Sequence, residues 1–142
     1  MKKGYATGIA GLMIGSFFLV GVAYAHGMHG HEAADAKMRK LHAMMPMFAG
    51  AAAKMDAALA KGDVTVVETQ AHRILHEIPE LKRSKPHKHA EQRKRFAEHA
   101  DRLKAAVTDT AELARKGDLA AARRAYGKIG AVCAACHAVF RD

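Results

Sequence analysis

From about residue 33 onward the apolar residues return at intervals of three and four and never for long at intervals of two. Met38, Leu41, Met45, Phe48, Ala52, Met55 and Leu59 draw one stripe down a helix of about six turns. Val67, Ala71, Ile74, Ile78 and Leu81 mark a second helix over about Val64–Leu81. Phe96, Ala100, Leu103 and Val107 mark a third over about Ala90–Arg115. Leu119, Ala122, Tyr126, Ile129, Cys133, Cys136 and Phe140 mark a fourth over about Leu119–Phe140. A chain with this period and three prolines has no strand to offer, so the fold class is all-α.

The punctuation between stripes predicts the topology. The triplet Lys-Gly-Asp occurs at 61–63 and again at 116–118. In each, glycine suits the left-handed residue that closes a helix, and aspartate can accept the free N–H groups of the next one. Ser84-Lys85-Pro86-His87-Lys88-His89 is a polar, proline-bearing connection between the two hairpins, and Pro79 predicts a bend or break in the last turn of the second helix. Four helices with short connections give an antiparallel up-down-up-down four-helix bundle over residues 36–142.

Residues 1–25 read differently. Lys2 and Lys3 precede an apolar run from about Ile9 to Val22 and an Ala23-Tyr24-Ala25 triplet, the pattern of a cleavable secretory signal, which implies the periplasm. The run is too short and too rich in glycine for a standing anchor. Residues 26–35 carry no apolar face and read as a disordered His/Gly-rich tail, in which His26, Met28, His29 and His31 could bind copper or haem transiently.

Loss of residues 1–25 removes two lysines and no acid, so the formal charge of +9 falls to +7. Without interleaved aromatic and basic residues, that charge points to acidic protein partners or a membrane surface and not to nucleic acid.

Two cysteines are present, three residues apart, with a histidine directly after the second: Cys133, Cys136, His137. A bridge between them would close a loop too small to constrain the unfolded chain. C-x-x-C-H is the attachment signature of c-type haem, and the helix explains it. Thiols three apart lie on one face about a turn from each other, where they reach two carbons of one haem edge, and the next imidazole reaches the iron. A thioredoxin-like pair would need a βαβ setting and a helix N-terminus. A zinc site would need a second ligand pair, and His87 with His89 has the wrong spacing. His72 and His76, at i and i+4 on the second helix, read as solvated.

With Phe140 and Arg141 the motif extends to C-x-x-C-H-x-x-aromatic-Arg at the end of a fourth helix, and in this the chain resembles the class II c-type cytochromes, the cytochrome c prime family and its low-spin relatives. The resemblance covers residues 36–142 in architecture and is specific in the last ten. It implies one covalent haem c held by Cys133 and Cys136, with His137 as proximal iron ligand and Arg141 beside that ligand and the solvent. It also implies that the first helix lines the sixth iron position. Low-spin members place a methionine there, and cytochrome c prime an apolar side chain. Counted back from the Lys-Gly turn, that position falls near Pro46, which cannot ligate. Its neighbours can, and His42 stands slightly ahead of Met45 as the distal ligand, with an open site as the third outcome.

These readings converge on a periplasmic monohaem cytochrome that passes single electrons between redox partners. No acid–base pair or activated nucleophile points to an enzyme. A gas-binding or gas-sensing haem protein with an open distal face is the alternative. A copper- or zinc-handling bundle is the second alternative. The related bundles often dimerise through their first two helices, so the resemblance leaves a homodimer open.

Overall fold

The computed structural model describes residues 25–141, with side chains from residue 36, and the signal segment expected at 1–25 lies outside them but for Ala25. Four helices follow one another: α1 Ala25–Lys61, α2 Val64–Arg83, α3 Arg93–Arg115 and α4 Leu119–Phe140. Each packs on its neighbour in sequence, α3 and α4 most closely, and α1 meets α4 only sparsely. This is the antiparallel bundle that the stripes predict, and the described residues include no strand.

Both Lys-Gly-Asp turns adopt one geometry. Gly62 and Gly117 take φ of +71° and +82°, where a Cβ would strain the chain. Asp63 N–H donates to the Ala58 carbonyl at 2.9 Å and Gly62 N–H to that of Leu59 at 3.3 Å. Asp118 and Gly117 repeat this to Leu113 at 3.0 Å and Ala114 at 2.9 Å. These paired bonds satisfy the last carbonyls of α1 and α3. The same aspartates then open the next helix, Asp63 accepting from Val66 N–H at 3.1 Å and Asp118 from Ala121 N–H at 2.8 Å.

Three expectations about boundaries need correction. The stretch 26–35 is helical backbone, since α1 begins at Ala25; the run Glu32-Ala33-Ala34-Asp35-Ala36 is made of residues that extend a helix once one exists. Pro79 neither ends nor breaks α2, which runs on to Arg83, because its ring lies on the exposed face near the helix end and removes one backbone bond. α3 starts at Arg93 and not near Ala90, because residues 89–92 form a turn, with His89 at φ +53° and Gln92 N–H donating to the His89 carbonyl at 2.8 Å.

The core runs the length of the bundle, through Met55, Leu59, Val67, Ile74, Val107 and Ala122, each at most 1% exposed. On α1 the buried residues Leu41, Phe48, Met55 and Leu59 lie on the predicted stripe, and Met44, Ala51 and Ala58 rotate the buried line to one side of it, so that Met45 and Ala52 are half-buried. The rotation has a cause: α1 turns one flank to α2 and leaves the other facing α4. That second seam is tied near the Lys-Gly-Asp end, where the Tyr126 hydroxyl donates to the Ala52 carbonyl at 2.9 Å and Arg123 to the Leu59 carbonyl at 3.1 Å. Towards the other end α1 and α4 part.

Candidate haem site

Where they part lies a cavity of about 640 Å³. One wall is α4, which contributes Ile129, Val132, Cys133, Cys136, His137 and Phe140, with Arg141 just past its end. The facing wall is α1, with Leu41, His42, Met45, Pro46 and Ala49. α3 supplies Phe96, His99, Ala100 and Leu103 to the same space, and the connection after α2 supplies Pro86 and His87.

The volume falls within the range of cofactor pockets, and the lining is mostly apolar with a few imidazoles and two thiols. Cys133 and Cys136 are half-buried, and no disulfide joins them. Burial pushes the Cys133 thiol above its ordinary range and the Cys136 thiol up to about 11, Cys133 adding to the latter. Such thiols stay protonated near neutrality, which is opposite to the activated thiolate of a disulfide oxidoreductase. A thioether-bonded cofactor fits this donor set: sulfur and imidazole share one wall, and an apolar volume opens in front of them.

The structure thus gathers Cys133, Cys136, His137, Arg141, His42 and Met45 around one space, together with the Pro46 position facing the motif. It leaves His72 and His76 outside, exposed on α2, their ring centroids 6.5 Å apart. His89 is also outside, in an ion pair with Glu91 at 3.5 Å. The N-terminal His26, Met28, His29 and His31 lie outside the residues whose side chains are described. Among the described residues no group of three or more His, Cys, Asp and Glu side chains is placed to hold a metal ion.

Two wall residues escaped the sequence reading. His87 stacks on His42, ring centroids 4.7 Å apart and planes at 18°, and their Nε2 atoms share a hydrogen bond. Its loop is pinned rather than loose. Ser84 and Pro86 are buried, Ser84 Oγ donates to the Glu80 carbonyl at 2.9 Å, and Lys88 N–H donates to the Phe140 carbonyl at 3.3 Å. No periodicity announces a loop residue of this kind. His99 was legible in principle, because it lies three residues past Phe96 and four before Leu103, on the inner face of α3. It is 5% exposed, and burial, with Arg102 and Arg95 adding to it against Glu98, holds its imidazole below the ordinary histidine range.

An all-α bundle that presents C-x-x-C-H from its last helix into an apolar cavity has the build of a c-type haem protein. The family model described as Cytochrome C′ matches residues 79–141, a span that takes in α3, α4 and the whole motif and is consistent with a class II c-type cytochrome. No curated protein and no solved structure matches the chain. The matched family implies covalently bound haem c.

Proposed function

We propose that this protein is a periplasmic monohaem c-type cytochrome that carries single electrons between redox partners and is not an enzyme. Bound haem supplies an iron that exchanges one electron between its ferric and ferrous states. Cys133 and Cys136 hold it, His137 is its proximal ligand, and Arg141 lies at the rim where the cavity meets solvent. The apolar wall would limit the access of water to a bound iron.

The observation that carries the electron-transfer reading is the pair of donor side chains, His42 and Met45, on the wall that faces α4. A filled sixth position keeps the coordination constant between oxidation states, which favours transfer. His42 is the first choice, with its ring stacked on that of His87 at the cavity edge. The segment 1–25 supports export, and a charge of +7 after its removal favours acidic docking partners. One observation supports the gas-binding alternative: Pro46, whose side chain has no donor atom, lines the cavity directly after Met45 and one turn past His42.

Absorption spectra of the haem-loaded protein decide between these readings. The ferric form is expected to be low-spin, and His42→Ala is expected to make it high-spin and reactive with carbon monoxide, while Met45→Ala leaves it low-spin. The reverse pattern assigns Met45. A wild-type spectrum that is high-spin from the start means an open site and the gas-binding function.

A further inference from the structure

His99 differs from every other polar group on the cavity wall. Its ring meets the edge of Phe140, centroids 5.8 Å apart and planes at 81°, and its Nδ1 is fully enclosed with no hydrogen-bond partner among the described residues. A buried polar atom without a partner is penalised by its lost hydration, a cost that leucine or phenylalanine at this position would not carry. Natural chains rarely bury an N–H without a partner, whereas an unused lone pair is better tolerated. We assign the lone pair to the enclosed Nδ1, which leaves the proton on Nε2. A buried imidazole with one N–H to give thus stands in the wall of a cofactor cavity.

Haem carries two carboxylates on the edge opposite its thioether carbons. A carboxylate drawn out of water needs hydrogen-bond donors. Among the cavity's donors, His137 serves the iron, as His42 does in the reading proposed above. His87 and Arg141 are exposed. Among the described residues of the wall, His99 is the buried nitrogen donor that remains.

We propose that His99 donates its Nε2–H to a haem carboxylate inside the cavity, orienting the cofactor and balancing that buried negative charge. The inference rests on the covalent-haem reading and makes His99 a positioning residue, not an iron ligand. It explains why a histidine occupies a place on α3 between Phe96 and Leu103, both buried.

The test uses the haem-loaded protein with His99→Phe, which keeps a ring and removes the donor, and His99→Gln, which keeps a donor. At mildly alkaline pH, where the carboxylate stays ionised, His99→Phe is expected to lower the midpoint potential, because an unbalanced negative charge favours ferric iron. It is also expected to shift the haem carboxylate bending mode in the resonance Raman spectrum while the spin state stays as in the wild type. His99→Gln should restore most of both shifts. If His99→Phe does not accumulate, His99→Met serves as the donorless variant.

Unchanged potential and carboxylate mode in the donorless variant overturn the proposal. So does a change of spin state, which would place His99 on the iron, or an effect confined to the carbon monoxide complex, which would place it on a bound gas. A wild-type chain whose colour is removed by acid-acetone overturns the haem reading and this proposal together. A haem-bearing wild type with unshifted variants overturns this proposal alone.

Discussion

At the end of the bundle that carries Gly62 and Gly117, the turns are closed by local devices, two left-handed glycines and two aspartate caps, and Met55, Leu59, Val107 and Ala122 pack beneath them at or near zero exposure. At the end that carries Pro86 and Phe140, the same four helices stand apart around about 640 Å³, walled by four histidines and two thiols. One end is complete in itself. The other is flanked by a pinned loop and leaves a buried imidazole nitrogen without a hydrogen-bond partner among the described residues. The contrast separates a region packed on its own side chains from one shaped to receive a cofactor.

The comparison is most easily broken at the open end. Replacing Cys133 and Cys136 together with alanine should abolish haem retention in acid-acetone completely, while helical circular dichroism persists, because the turns and caps of the other end remain. Loss of the helical signal together with the haem would mean that the closed end does not stand without the cofactor.

The next effect belongs to the closed end. Leu59, 1% exposed, is part of its packing, and Leu59→Ala should lower the unfolding free energy by about 2–5 kcal/mol in denaturant titration. The haem spectrum should not change, as Leu59 is not part of the cavity wall. A shifted spectrum would show that the two ends are coupled through α1.

The smallest effect separates the two turns. Gly117 sits at φ +82° with open space where a Cβ would point, so Gly117→Ala tests backbone strain alone and should cost about 1–2 kcal/mol. At Gly62, φ +71°, the added carbon would also meet Leu119 Cδ1 at 3.4 Å, an ordinary contact, so Gly62→Ala should cost about as much. Thermal melts of the two variants that differ widely would show that the repeated triplet hides two different turns.

The two ends also differ in how far they could be read in advance. Gly62, Asp63, Gly117 and Asp118 were legible because their roles depend on backbone angles and on partners within five residues. Cys133, Cys136 and His137 were legible because their chemistry is written in one turn of one helix. His42 and Met45 could be placed only by counting from a turn, and the rotation of α1 that sets Met44 in the core and Met45 on the cavity followed from its contacts with α2 and α4. His87 was weighed only as half of a zinc pair, and nothing in the pattern placed it on the cavity: its position goes with a bond from Lys88 to Phe140, some fifty residues away in the chain.

By itself, then, the sequence determined what is periodic or local: four helices, the two closing turns, and the thiol–thiol–imidazole cluster, each decided by side-chain spacing or by hydrogen bonds within a turn. Only the tertiary structure decided which imidazoles share a wall, that α1 and α4 part to leave a cavity, and that His99 faces it with an enclosed, unpartnered Nδ1. Those facts arise between elements far apart in sequence, where the packing of helices against one another, and not the pattern along any one of them, selects the neighbours.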